Sequence, residues 1–191
     1  AQMIMLSADR LAYFEQPVHL VGFSMGGYSA ALIALENQSK VASLTLIASA
    51  CDELPADEVK QRNLVINLIK KKQYSGMTDA RLKQFFHTSH HQQTEFLDVV
   101  KQMEQDLGAG VLAAQINATK NRKNLIPALA KCTFPIHLIS GEQDNLVNEA
   151  SLLATHKQLP KSDMTMVKNA GHMLPIEQST VLAAYLAEKI G

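Results

Sequence analysis

Several features that would direct the reading elsewhere are scarce in this chain. It has two cysteines, no tryptophan and only 5% aromatic residues among its 191 positions. Cys51 and Cys132 stand far apart and form no CxxC pair. They cannot build a tetrahedral zinc site by themselves, and two are too few for a disulfide scaffold. Each is flanked by apolar, strand-like sequence, so both read as free buried thiols in a reducing, cytoplasmic compartment. Charge of one sign is also missing, because 18 Lys and Arg are balanced by 18 Asp and Glu. A neutral chain without a basic block has no electrostatic footprint for nucleic acid or for an anionic membrane. No stretch approaches the roughly 18 apolar residues that suggest a bilayer span. The opening AQMIMLSADR lacks the basic region, long apolar run and small-residue cleavage site of a signal peptide.

What remains is a chain that is 47% hydrophobic and 19% charged, the composition of one globular domain with a sizeable core. Residues 2–13 read as an amphipathic helix, and Pro17 separates it from the short apolar run 18–21. That run ends in Gly22-Phe23-Ser24-Met25-Gly26-Gly27, and an Ala- and Leu-rich helix follows over 28–36. A second strand, 41–47, is apolar enough to be buried on both faces of a parallel sheet. From Cys51 to about Lys131 strand signals vanish, and helical patterns occupy 58–72, 79–87, 94–107 and 110–119. The strand–helix rhythm then resumes, with strands at 136–140 and 164–167 and helices at 148–158 and 180–190. Alternation of this kind predicts an α/β fold with a parallel sheet flanked by helices. The long helical block is expected to be a cap over the carboxyl ends of the strands, where open α/β sheets place their sites.

The chemistry is concentrated in three short segments. Gly22–Gly26 matches G-x-S-x-G, the pattern of a nucleophile elbow. By this reading Ser24 occupies a strained strand-to-helix turn, and Gly22 and Gly26 remove side chains that would collide with the neighbouring strand and helix. The backbone N–H of Met25 then faces a developing oxyanion, helped by the positive end of the following helix. Alone the string is weak, since about one chain in twenty of this length carries it by chance. Its position between a strand and a helix gives it weight. The glycines precede no Lys-Ser/Thr pair, so a phosphate-binding P-loop is excluded. A serine nucleophile needs a base, and the base an orienting carboxylate. Asp144 follows the strand at 136–140 within Gly141-Glu142-Gln143-Asp144, and His172 follows the strand at 164–167. All three groups stand beyond the carboxyl ends of strands, in the chain order Ser, Asp, His.

Through VHLVGFSMGG, PIHLISGEQDNLV and NAGHMLPIEQ, the chain from Pro17 onward resembles the α/β-hydrolase superfamily, specifically its small esterase-like members with a helical lid. The resemblance implies Ser24 as nucleophile, His172 as general base and acid, Asp144 as its orienter and Met25 as one oxyanion donor. It divides the chain into hydrolase core with the elbow over 1–50, a helical lid over 51–131, and core carrying the acid and the histidine over 132–191. The implied activity is hydrolysis of a carboxylic ester or related small-molecule acyl substrate, with no metal or organic cofactor. The alternative is a hydrolase-like module that binds a ligand or a protein partner without turnover.

One departure from the family lies at the front. Members carry several strands before the nucleophile strand, with a second oxyanion donor on an early loop, whereas 23 residues precede Ser24 here. The nucleophile strand is therefore expected at an exposed edge. Three explanations compete: a truncated chain with impaired activity, a homodimer in which a second copy completes the sheet, or a complete but catalytically degraded fold. The first helix, which looks like the one normally preceding the elbow, favours truncation. Two carboxylates compete with Asp144, namely Asp52 after the second strand and Glu142. His87, His90 and His91 have the i, i+3, i+4 spacing that could hold a metal on one helix face, although a solvated lid surface is the simpler reading. His19 and His137, inside apolar strands, read as structural.

Overall fold

The computed structural model describes residues 2–191. Among them, four parallel strands form one sheet in the order β1 (Val18–Phe23), β2 (Val41–Ile47), β3 (Ile136–Gly141) and β4 (Ser162–Val167). Every strand pair is parallel, so each connection must cross over, and helices supply the crossings. Helix α1 (Gln2–Leu11) precedes β1, α2 (Met25–Glu36) joins β1 to β2, and α7 (Glu149–Gln158) joins β3 to β4. Between β2 and β3 the chain makes a long helical excursion through α3 (Ala56–Lys70), α4 (Asp79–Lys83), α5 (Thr94–Thr119) and α6 (Ile126–Leu129). The chain closes with α8 (Leu174–Glu177) and α9 (Ser179–Ile190).

Strand alternation sorts the core into two layers. Leu44, Leu46, Ile136 and Leu138 point to one face and pack with Ala31 and Ala34 of α2, Leu129 of α6 and Leu152 of α7. Ile47, Ile139 and Val167 point to the other face and meet Leu182 and Tyr185 of α9. With both faces covered, β3 is buried at every position, which is why its sequence reads as a continuous apolar run. β1 lies at one edge of the sheet, and Val21 on it is 40% exposed. His19 and His137 serve cross-strand bonds, from His19 Nδ1 to Ser43 Oγ at 2.7 Å and from His137 Nδ1 to Asp163 Oδ2 at 2.9 Å. Both cysteines are buried and unbridged.

The excursion leaves and returns at one place, where Leu125 N–H donates to the Cys51 carbonyl at 2.7 Å. Its two long helices, α3 and α5, pack against each other. Gly108, with φ 72° and ψ 167°, is non-helical and divides α5 into two arms, which correspond to the two helices expected at 94–107 and 110–119. Helix α4 stops at Lys83, short of the expected 87. The chain tightens into i→i+3 turns at Phe85 and Phe86, and the Phe85 carbonyl bonds to Met173 N–H at 3.0 Å, away from the helix. Among the described residues, no helix is long and apolar enough to cross a membrane.

Candidate active site

Ser24 is the single residue between β1 and α2, and its backbone is unusual. Its φ of 50° and ψ of −119° are strained for a residue with a side chain. The surroundings over-determine that turn. Ser24 N–H donates to the Ile47 carbonyl at 2.9 Å, and the Ser24 carbonyl accepts from Gly27 N–H at 3.0 Å and from Ser49 Oγ at 2.8 Å. Serine is a favoured helix N-cap, yet the Ser24 side chain makes no capping bond to α2. It turns instead toward His172.

The glycines around Ser24 differ in what they do. A Cβ on Gly22 would lie 2.5 Å from the Gly26 carbonyl oxygen and 2.6 Å from Gly27 Cα, so the strand and helix approach too closely for any side chain there. A Cβ on Gly26 would meet nothing within 4 Å, so the expected collision at that position is not found. The crowding falls on Gly27, whose Cβ would run into the Ser49 side chain. Met25 opens α2, and its N–H, in the first turn, has no acceptor inside the helix.

His172 Nε2 lies 2.9 Å from Ser24 Oγ, and its Nδ1 lies 3.0 and 3.1 Å from the two oxygens of Asp144. A carboxylate only accepts, so Nδ1 carries the proton, and the neutral ring then offers Nε2 as acceptor to the Ser24 hydroxyl. Asp144 is 3% exposed and well supplied with donors. Its Oδ1 accepts Leu146 N–H at 2.8 Å and Val147 N–H at 2.9 Å, and its Oδ2 accepts Ser140 Oγ at 2.8 Å. Burial alone would raise its pKa. The His172 hydrogen bond and charge, with the two backbone N–H groups, outweigh burial and hold the carboxyl below its ordinary value. The rings of Phe23 and Phe85 lie 5.4 and 6.1 Å from that of His172 and wall it on the apolar side. Phe23 also joins the cluster of Leu82, Phe86, Leu97 and Met173, which links the sheet edge to the helical excursion.

The competing residues are engaged elsewhere. Asp52 pairs with Arg122 at 3.4 Å and stands 40% exposed, while Glu142 accepts Asn169 N–H at 2.7 Å. His87, His90 and His91 do not share a helix face, because a 3₁₀ turn runs through Thr88–His90. The His87 ring bonds Ser89, the His90 ring bonds Glu177 and the His91 ring bonds the Phe86 carbonyl. Sequence reasoning missed Ser49, Ser140 and Glu177, buried polar groups that bond to the Ser24 carbonyl, to Asp144 and to the N–H of Gly171. Ser49 and Ser140 leave a faint trace, as hydroxyls at the carboxyl ends of otherwise apolar strands.

The model of the alpha/beta hydrolase fold family matches residues 10–179. The chain belongs to that family. Bovine (Bos taurus) monoacylglycerol lipase ABHD6 is 24% identical to it, over 91% of this chain and 55% of the relative. The chain thus spans about half the length of the curated relatives it matches. An esterase from Thermogutta terrifontis superposes with a TM-score of 0.83 at 21% identity, covering 95% of this chain and 66% of the esterase. A putative non-heme bromoperoxidase, BpoC from Mycobacterium tuberculosis, superposes at 0.80 with 17% identity, covering 97% and 71%. At such identities these two likenesses speak for the α/β-hydrolase fold alone.

Proposed function

We propose that the chain is the catalytic body of a serine hydrolase acting on carboxylic esters or related acyl substrates. The observation that carries this reading is the unbroken line of hydrogen bonds from Ser24 Oγ through His172 to Asp144, assembled on an elbow whose serine is strained and does not cap its helix. A purely structural turn has no use for that arrangement.

In the proposed mechanism Ser24 Oγ attacks the acyl carbonyl carbon and its proton passes to His172 Nε2. The tetrahedral oxyanion is met by the Met25 N–H and the positive end of α2; one such donor is typically worth about 10²–10³ in turnover. Collapse breaks the ester bond, and His172 returns its proton to the leaving alkoxide. Water then attacks the acyl-enzyme with the same imidazole as base, releasing the carboxylic acid and restoring the Ser24 hydroxyl. Asp144 keeps the proton of His172 on Nδ1 and balances the imidazolium. The apolar rings of Phe23 and Phe85 beside the imidazole suit an acyl group better than a charged substrate. Two unbridged thiols suit a reducing compartment, and we place the enzyme in the cytoplasm on that ground.

Intact mass after incubation with a fluorophosphonate tests the reading. One adduct on the parent, with Ser24→Ala and His172→Ala left bare, is the expected result. A folded parent that stays unlabelled overturns it and leaves a non-catalytic binding module.

A further inference from the structure

Behind His172 lies a carboxylate that the proposed mechanism does not use. The Glu177 side chain is fully buried, in α8. Burying a carboxylate is costly unless donors surround it, and three converge here. Gly171 N–H donates to Oε1 at 2.8 Å, while His87 N–H at 2.7 Å and His90 Nδ1–H at 2.9 Å donate to Oε2. Gly171 precedes His172 in the chain. His87 and His90 belong to the turn of the helical excursion that follows α4. Two further contacts join the same segments. Met173 N–H donates to the Phe85 carbonyl at 3.0 Å, and a Cβ on Gly171 would lie 2.7 Å from His87 N and from Phe86 C. The loop that carries His172 is thus pressed backbone to backbone on the 85–87 segment, and Glu177 bridges the two.

We propose that Glu177 is a positioning residue for His172: its two oxygens tie the His172 loop to the His87–His90 turn, so that placement of the imidazole depends on placement of the helical excursion. The proposal rests on His172 being the base. The two oxygens have separate duties, which makes the tie dissectable. In Glu177→Gln the amide oxygen is best placed where two donors meet, at the His87 and His90 side. The NH2 then faces Gly171 N–H, donor against donor, and the His172 side of the tie opens while the other side holds. His90→Ala removes one donor from the opposite side, and His90→Asn restores an N–H close to the position of Nδ1.

The experiment compares second-order labelling rates with the fluorophosphonate for the parent, Glu177→Gln, His90→Ala and His90→Asn, each corrected for its folded fraction. Alongside, amide exchange at Gly171 and the Nδ1–H proton resonance of His172 are followed by NMR. A loosened imidazole is expected to slow labelling by about 10- to 100-fold in Glu177→Gln. Faster exchange at Gly171 and a broadened or lost Nδ1–H signal should accompany it. His90→Ala should fall between Glu177→Gln and the parent, and His90→Asn should recover most of the rate. A Glu177→Gln protein that melts earlier but labels within twofold of the parent, with Gly171 and His172 signals unchanged, overturns the proposal and leaves a structural carboxylate. If Glu177→Gln does not fold, equal rates for His90→Ala and His90→Asn overturn it. If the parent itself is not labelled, the hydrolase reading fails separately, and the exchange and Nδ1–H measurements alone decide whether Glu177 positions the His172 ring.

Discussion

Replacing Asp144 by Asn keeps the size of the side chain and reverses the role of one atom. The carboxylate accepts from His172 Nδ1, Ser140 Oγ, Leu146 N–H and Val147 N–H, and donates to none of them. An amide has one oxygen to give. The two backbone N–H groups at Oδ1 cannot rotate away, so the oxygen stays there and the NH2 takes the Oδ2 position. Ser140 can turn its hydroxyl and accept. His172 Nδ1 lies 3.0 Å from that NH2 and 3.1 Å from the oxygen, but the oxygen already accepts two backbone N–H groups, so the NH2 donates to Nδ1 and drives the ring proton to Nε2. That nitrogen then presents N–H to Ser24 Oγ, 2.9 Å away, where the reaction needs a lone pair. A wrong tautomer of this kind costs on the order of 10⁴ in turnover while leaving the site in place. The assay is the fluorophosphonate labelling rate of folded Asp144→Asn against the parent, with Asp52→Asn as the companion. Asp52 pairs with Arg122 and makes no bond to His172, so its variant should label within about threefold of the parent. Labelling of Asp144→Asn within tenfold of the parent would refute the tautomer argument. A collapse in Asp52→Asn instead would move the acid to the second strand.

Three further outcomes follow from the same geometry. Gly22→Ala should abolish labelling and lower stability by several kcal/mol, because its Cβ meets backbone atoms at 2.5–2.6 Å, whereas Gly26→Ala should melt close to the parent; equal melting temperatures would contradict the packing described for the elbow. The depressed pKa of Asp144 makes the carboxylate a source of stability above the ordinary unfolded carboxyl range, and that contribution is lost as pH falls through the lower folded value. The stability gap between the parent and Asp144→Asn should therefore shrink on acidification from pH 6 to about pH 3, and a constant gap would count against it. Burial pushes the Cys51 thiol up to about 12, so it should resist alkylation at pH 8 until the protein unfolds, and rapid modification of native protein would show that the site opens.

The parts legible in the sequence share a physical reason. β2 was readable to the residue, at 41–47, because a strand buried on both faces needs no partner information to look apolar. That Ser24, Asp144 and His172 would meet was readable because each stands where an apolar run stops, and parallel strands bring such ends to one edge. Other features depend on what packs opposite. Helix α4 ends short of 87 because Glu177, ninety residues away, takes the His87 N–H that a continued helix would need, and no local pattern announces that. The His87, His90 and His91 spacing suggested a helix face, yet a 3₁₀ turn scatters the rings among three partners. Glu177 reads as an ordinary acidic residue near a helix end, and only the folded chain reveals three donors around it. The short helices α6 and α8 are each a single turn with proline in the first two positions, too brief for periodicity to register.

The hydrogen bond from Leu125 N–H to the Cys51 carbonyl, with Arg122 donating to the Asp52 carbonyl beside it, has a consequence for how this scaffold diversifies. A detour that begins and ends at neighbouring points leaves the register of β2 against β3 indifferent to its length, and each doubling of such a loop costs only about 0.6 kcal/mol in closure entropy. The stretch between those points can therefore lengthen or shorten at small entropic cost. The segment from Leu82 to His90 is the exception, because it packs on Phe23 and Met173 and presents the His87 N–H to Glu177, so a shorter excursion must still hold it in place.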